Sequence, residues 1–391
     1  MQTFVFVYFE GQSLLFPRCF LFPREGLALT HRKCYNSIQK KKRRFFRHVN
    51  KRLHKGVTAM ATLKDVAKLA CVDVSTVSRA LNNTSYVHPD TKARVYAAAK
   101  ELGYHPNIMA QALRQGRRHT LGMVVPRLDL AIFAEILQGF EHEALALGYS
   151  TIISVTDDDP KIEKECLTRM RNGLVDGIVV NSTGRNNRLI TDIKASGIPL
   201  VQMIRCQDPK ISSVVGDYES CGYNAVKYLY GRGCRHIGLV AGALHLSPYA
   251  GRRKGYCEGV ARYGLEEIFS ESDKQVNTFQ YGYECTMQLL DENPELDAII
   301  AALDIQGLGV IRALKDRGIE MPGQIKVMSL TGHHLGGMLQ TSMTSLEMPA
   351  RQMGEKAAQM LISDIEAAAA GKPNSPVHIS FPHTLVERES T

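Results

Sequence analysis

Between Val74 and Asn82, helical spacing places Ser75, Thr76, Ser78 and Arg79 on one side and Val77, Ala80 and Leu81 on the other. Short hydroxyls beside one long guanidinium suit phosphate oxygens and the O6/N7 edge of guanine, which is the chemistry of reading duplex DNA. The plain alternative is a solvated polar face, because two small helices joined by a tight turn occur in many proteins that never touch DNA. A second set lies far along the chain, where Phe133, Arg252, Asp304 and the loop 331–334, carrying Thr331, His333 and His334, follow apolar strand-like runs. An aromatic face, a cation, a carboxylate and polar loop groups beyond strand ends suit a small polar molecule. For Arg252 the plain alternative is a surface arginine, for Asp304 a helix cap, and for the two histidines a solvated loop.

Neither set brings catalytic apparatus with it. The chain has no Gly-rich phosphate loop, no Gly-x-Ser-x-Gly elbow and no paired metal ligands, so no catalytic residue, metal or cofactor is expected. Its nine Cys, at 19, 34, 71, 166, 206, 221, 234, 257 and 285, form no Cys-x-x-Cys pair and read as buried small residues of a reducing cytoplasm. No apolar run is long enough for a membrane span, and Glu10, Gly11 and Pro17 interrupt the opening segment, so a secretory signal is not expected.

Charge divides the chain more informatively than its total of +9. Residues 1–59 hold thirteen Lys/Arg against two Asp/Glu, residues 60–120 nine against four, and the remainder nets −7. A basic front on an acidic body suggests that the front meets phosphate. Residues 1–59 show no helical or strand period and include the run Lys40-Lys41-Lys42-Arg43-Arg44. They are expected to be a non-native or disordered extension ahead of an initiator at Met60, or else a basic arm adding non-specific DNA affinity.

The elements that must position the first set begin at Thr62, an N-cap with Asp65 three residues on. A helix follows through Ala70 with Val66, Ala67 and Ala70 inward, Cys71-Val72-Asp73 turns, and Val74 opens the second helix. A third, marked by Pro89-Asp90, runs from about Thr91 to Leu102 and stops at Gly103. Residues 107–114 form a short linker helix between Pro106 and Gly116. From Thr120, buried strand-like runs at 121–125, 150–154, 177–180, 199–203, 236–240, 298–302 and 326–330 alternate with helical patterns, which predicts parallel, doubly wound sheets.

The stretch from Met60 to Ala70, then Val74-Ser-Thr-Val-Ser-Arg-Ala-Leu-Asn82, then Glu101-Leu-Gly-Tyr-His-Pro-Asn107, closely resembles the head of lac repressor family regulators. The resemblance covers roughly 60–390 and implies a small all-α helix-turn-helix head followed by a two-lobed α/β body like the periplasmic sugar-binding fold, with parallel sheets. It makes Val74, Ser75 and Arg79 the major-groove readers, with Thr62, Thr76, Ser78 and Asn107 also on DNA. It makes 107–114 a hinge helix that forms on operator DNA, where Leu113, beside Ala110, wedges into the minor groove. Arg252 then matches an arginine that anchors effector oxygens, and Phe133 an aromatic that packs on the effector.

The departures point elsewhere. Ile204 stands where an Asp is common, Leu303 replaces a frequent Asn, and Ser329-Leu-Thr-Gly-His-His334 replaces a frequent Gly-Phe/Tyr-Asp-Asp. With those carboxylates gone and Arg205 and Arg252 present, a sugar phosphate joins a neutral sugar as an expected effector, and His333 as a contact. Cys71 fills a turn position often held by Gly.

The domains expected are an extension at 1–59, a head at 60–104, hinge and linker at 105–119, and a body at 120–391. Lobe one should hold about 120–217 and 347–370, and lobe two about 218–346 and 371–391. The implied function is a cytoplasmic, nucleoid-associated transcriptional regulator, a repressor of carbohydrate-utilisation genes. No Leu heptad closes the chain, so the resemblance implies a homodimer on a pseudo-palindromic operator. A periplasmic sugar receptor is the competing class, since the body alone would suit it.

Overall fold

The computed structural model describes residues 61–82, 85–104, 117–270, 277–332, 334–372 and 374–391, together with two strands, β1 (Val5–Phe9) and β2 (Gln12–Phe16). The two strands pair antiparallel with Phe9 opposite Gln12. They correct the expectation that 1–59 carry no strand pattern. Valine- and phenylalanine-rich β1 is apolar almost throughout, and such a run shows no alternation to detect.

The head is three helices, α1 (Leu63–Ala70), α2 (Val74–Asn82) and α3 (Pro89–Glu101). Helix α1 starts where it does because Thr62 and Asp65 close a capping box: the Asp65 amide donates to Thr62 Oγ1 at 3.3 Å and the Thr62 amide to Asp65 Oδ2 at 2.8 Å. Hydrogen bonds donated by the Thr62 hydroxyl and then by the Thr62 amide hold the Asp65 carboxyl below its ordinary value. Cys71 ends α1 in the left-handed region at φ 52°, ψ 49°. Val66, Val77 and Val95, one from each helix, are fully buried at the centre of a small core with five alanines around them.

The body carries two six-stranded sheets. The first is built from β3 (Thr120–Val125), β4 (Ser150–Val155), β5 (Gly177–Val180), β6 (Leu200–Met203), β7 (Ser212–Gly216) and, from the far end of the chain, β13 (His378–Phe381). Its order is β13-β7-β6-β5-β3-β4, parallel throughout. The helices α4 (Ala131–Ala146), α5 (Pro160–Arg169) and α6 (Asn187–Ala195) connect its strands.

The second sheet uses β8 (Ile237–Val240), β9 (Ile268–Ser270), β10 (Ala298–Ala301), β11 (Lys326–Ser329), β12 (Thr344–Glu347) and β14 (Thr384–Val386). It is parallel except for β14, an antiparallel edge beside β12. Its helices are α7 (Tyr218–Gly231), α8 (Ser247–Tyr263), α9 (Phe279–Glu292) and α10 (Asp304–Asp316), while α11 (Ala350–Ala369) returns to pack against α4 on the first sheet. Each sheet is buried on both faces, as its near-continuous Val/Ile/Leu strands require.

The chain therefore passes between the lobes after β7, after β12 and after β13. The last passage corrects the expected boundary, since residues 378–381 join lobe one and not lobe two: His378 pairs with Ser213 and Phe381 with Gly216. Strands β7 and β12 escaped the sequence reading because serine and threonine interrupt their apolar runs. Those hydroxyls are buried and bonded: Ser213 Oγ to His378 Nδ1 at 2.9 Å, and Ser345 Oγ to an Arg388 nitrogen at 2.7 Å.

Candidate functional site

On the head, the outer side of α2 carries the expected residues. Val74, Ser75 and Arg79 are exposed, and Thr76 and Ser78 are half-buried beside them. The Arg79 guanidinium lies back along its helix, Nε donating to the Ser75 carbonyl at 3.3 Å and Nη2 to Ser75 Oγ at 3.2 Å. Weak contacts at an exposed site leave that arginine available to a base edge. Thr62 is differently occupied, since its hydroxyl donates to Asp65 Oδ2 at 2.6 Å within the capping box. Asn107, Ala110 and Leu113, and with them the hinge helix, lie outside the described residues.

In the body, Phe133, Arg205, Arg252, Asp304 and Thr331 line one cavity between the lobes, about 990 Å³ with the solvent at its mouth included. His333, the sixth residue expected there, lies outside the described residues. Phe133 comes from the first turn of α4 and is 4% exposed. Arg252 sits in the second turn of α8, whose start at Ser247 sets Tyr249, Arg252 and Tyr256 on one buried face at i, i+3 and i+7.

Arg252 is 2% exposed, and its guanidinium stands over the Tyr218 ring, 5.0 Å from its centroid. Burial pushes the Tyr218 hydroxyl up to about 12, so it stays protonated and donates to the Ile204 carbonyl at 2.9 Å. Among the described residues Arg252 has no ion pair, and its Nε is buried without a hydrogen-bond partner.

Arg205 departs from what the sequence implies. Its guanidinium holds Asp158 at two points, 2.6 and 3.0 Å, and donates to the Ser182 carbonyl at 3.1 Å. The expectation of two uncommitted cations facing the effector is corrected accordingly: Asp158 neutralises one of them, and nothing near Arg205 in the sequence signalled it. Just before Arg205, the Ile204 backbone is at φ 63° while the Arg205 amide donates to the Met203 carbonyl at 2.6 Å, a tight three-residue turn rare for a β-branched residue. Backbone held in such a conformation is over-determined by its surroundings, here by the Tyr218 hydroxyl and the Val214 carbonyl.

Asp304 is the first residue of α10 and does not cap it. Its carboxyl accepts from the Ser329 hydroxyl, its amide donates to Thr331 Oγ1 at 3.0 Å, and Gln306 Oε1 accepts from the Leu303 amide at the helix start. Burial raises the Asp304 carboxyl to about 6, partly offset by the Ser329 hydrogen bond and by the charges of Arg388 and Arg252.

Sequence reasoning missed the groups that tie the lobes together at the cavity. The Arg127 guanidinium donates to the Asn277 carbonyl at 3.0 Å, Asn277 Nδ2 to Asp158 Oδ2 at 3.0 Å, and the Tyr249 hydroxyl to the Asn277 side chain. Asn277 precedes α9 in irregular chain and gave no pattern to find, and Tyr249 joins the buried face of Arg252 only because α8 starts at Ser247. Ile204 and Leu303, noted as departures, both line the cavity, with Ile305, Leu308, Leu339 and Met343 continuing an apolar wall. Among the described residues no group of His, Cys, Asp and Glu is placed to hold a metal, and no helix is long and apolar enough to cross a membrane.

Comparison with known proteins gives two matches to protein families. Residues 118–388 match periplasmic binding proteins and the sugar binding domain of the LacI family, and residues 62–107 match the bacterial regulatory proteins of the lacI family. The catabolite control protein A of Priestia megaterium is 30% identical over 84% of this chain and 99% of its own. The ribose operon repressor of Halalkalibacterium halodurans is 29% identical over 85% and 97%. Among solved structures, a lac repressor dimer bound to operator and the anti-inducer ONPF superposes with a TM-score of 0.74 at 26% identity, covering 85% of this chain and 99% of that one.

Proposed function

This chain belongs to the LacI family of bacterial regulatory proteins, and on that premise we propose that it is a sequence-specific transcriptional repressor whose hold on operator DNA is set by a small molecule bound between its lobes. The observation that carries the reading is the pairing, in one chain, of the exposed Ser75 and Arg79 face on α2 with an interlobe cavity that gathers Phe133, Arg252, Asp304 and Thr331. The protein acts in the cytoplasm as a homodimer, presenting two heads to a pseudo-palindromic site. A carbohydrate-utilisation role, with a sugar or sugar derivative as effector, follows the family's sugar-binding domain.

The functional division is a head at 60–104, a hinge at 105–119 and an effector-binding body beyond. In the head, Val74, Ser75 and Arg79 read bases, with Thr76 and Ser78 on phosphate. The Thr62 hydroxyl serves the helix cap and its residue meets DNA only at the helix start. In the body, the effector changes how the lobes sit, and the hinge carrying Asn107, Ala110 and Leu113 forms on DNA or frays. Such coupling is reciprocal, so operator DNA shifts effector affinity by the same factor.

The test is a titration of the protein on a pool of genomic upstream fragments at fixed salt, with and without sugars and sugar phosphates. Tight retention of a few palindromic fragments, altered by one compound, is the expected result. Uniform, salt-labile binding would overturn the reading of the head as a sequence reader and reopen the receptor alternative.

A further inference from the structure

We propose that Tyr218 couples the effector cavity to the arrangement of the lobes, because its side chain is held in lobe one while its helix belongs to lobe two. The proposal rests on the reading of the interlobe cavity as the effector site and names the side chain through which that site acts.

Tyr218 opens α7, whose later turns pack in lobe two, Ala225, Val226 and Leu229 sharing a core with Ile237 and Leu239 of β8. The Tyr218 side chain instead belongs to the core of lobe one, with Val214 and Met348. Its hydroxyl donates to the Ile204 carbonyl at 2.9 Å, a hydrogen bond from one lobe to the other. Over its ring stands the Arg252 guanidinium of α8, 5.0 Å from the centroid, and a Cβ at Gly251 on the same helix would lie 2.8 Å from the Tyr218 Cβ. Helices α7 and α8 meet backbone to backbone at Gly222 and Gly255, so they move as one body while the hydroxyl bond holds to lobe one.

The three chain crossings meet around this side chain. A Cβ at Gly216, at the first crossing, would lie 2.8 Å from Tyr218 Cε1, 2.6 Å from Met348 Sδ at the second and 3.0 Å from His383 Cε1 at the third. The His383 ring also packs edge-on to the Tyr218 ring, with centroids 6.0 Å apart. Ile204 and Arg252, the two residues that hold Tyr218, both line the cavity, as does Met348. The left-handed turn at Ile204 persists because its surroundings hold it, and the Tyr218 hydroxyl is the part of those surroundings that lobe two supplies. Rotation of one lobe on the other must therefore break that hydrogen bond or turn the ring from beneath Arg252. An effector touching Arg252 or Ile204 favours one of these arrangements over the other, and that difference is the coupling.

Hydrogen exchange resolved to single amides, on the full chain without ligand, tests the tie itself. The Cys206 amide donates to Ser247 Oγ at 3.1 Å across the lobes, whereas the Asn181 amide bonds the Val124 carbonyl within lobe one and the Ala302 amide the Val240 carbonyl within lobe two. Tyr218→Phe, which removes only the hydroxyl, should speed exchange at Cys206 about fivefold and leave Asn181 and Ala302 unchanged. Tyr218→Leu, which also takes the ring from beneath Arg252, should speed it further. Unchanged exchange at Cys206 in Tyr218→Phe, or equal acceleration at all three amides, overturns the proposal, and the Tyr218→Phe result stands even where Tyr218→Leu does not fold. Fluorescence anisotropy of an operator fragment then tests the coupling, with ribose, glucose and glucose 6-phosphate as probes. A probe that shifts the operator affinity of the parent should still bind Tyr218→Phe but shift its operator affinity less, by about threefold or more. An equal shift in both proteins overturns the coupling role. No shift of the parent by any probe overturns the effector reading and the coupling role together, while exchange at Cys206 still decides whether Tyr218 ties the lobes.

Discussion

Replacing Gly255 by alanine tests how α8, and with it Arg252, is held. A Cβ at Gly255 would lie 1.8 Å from the Glu219 carbonyl oxygen and 2.8 Å from the Tyr223 nitrogen, both backbone atoms of α7. The approach is reciprocal, because a Cβ at Gly222 on α7 would lie 2.1 Å from the Arg252 carbonyl oxygen. Two helix backbones in mutual contact have no flexible side chain to yield, so α8 must back away and open the packing of Tyr256 and Val260 against Val226 and Leu229. Overpacking of this kind costs about 3 kcal/mol at the upper end of its usual range, against about 1 kcal/mol gained from alanine's helix propensity, for a net loss of about 2 kcal/mol. The same change at Gly231, the exposed last residue of α7 with nothing within 4 Å of its Cβ, should gain roughly 0.5 kcal/mol. Urea unfolding followed by far-UV circular dichroism should therefore move the two midpoints in opposite directions with similar slopes. Because α8 carries Arg252 and Tyr249, effector affinity should fall in Gly255→Ala and hold in Gly231→Ala. A Gly255→Ala protein as stable as the parent would refute the claim that this crossing is backbone on backbone.

Three further outcomes follow from the described geometry. Burial raises the Asp304 carboxyl from 3.8 to about 6, so the native state holds its proton more tightly than the unfolded chain, and the associated stability is full below about pH 4 and lost as pH rises through about 6. At 1.36 kcal/mol per pH unit that loss is about 3 kcal/mol, and Asp304→Asn, which keeps the acceptor for Ser329, should exceed the parent by up to that amount at pH 8 and match it near pH 4; a difference that does not vary with pH would sink the assignment. Arg79→Ala should weaken binding to a specific fragment by about 1–3 kcal/mol while leaving bulk-DNA affinity nearly unchanged, and equal losses on both in a filter-binding titration would count against Arg79 as a base reader. Cys71→Gly should relieve about 1 kcal/mol of left-handed backbone strain at the end of α1, slowing hydrogen exchange of the buried head amides about fivefold; unchanged exchange would show that the strain is absorbed elsewhere.

Local pattern alone determined the head. The Thr62 and Asp65 cap, the inward Val66, Ala67 and Ala70, and the inward Val77 and Ala80 are all properties of spacing within a few residues, and each appears where the chain places it. Continuous Val/Ile runs likewise marked the buried parallel strands of the body, because a strand covered on both faces has no polar side to show. Runs broken by buried, hydrogen-bonded hydroxyls, as in β7 and β12, were hidden for the complementary reason.

What the tertiary structure decided is everything that depends on a partner distant in sequence. Whether Arg205 and Arg252 are ion-paired could not be read from either residue, since the answer lies in Asp158, 47 positions from Arg205, and in the lack of any ion pair to Arg252 among the described residues. The return of 378–381 to the first sheet, the lobe tie through Asn277, and the raised Asp304 carboxyl are of the same kind. Charge state, burial and lobe membership are set by what surrounds a group once the chain has closed, and a side chain's type and its near neighbours do not carry that information.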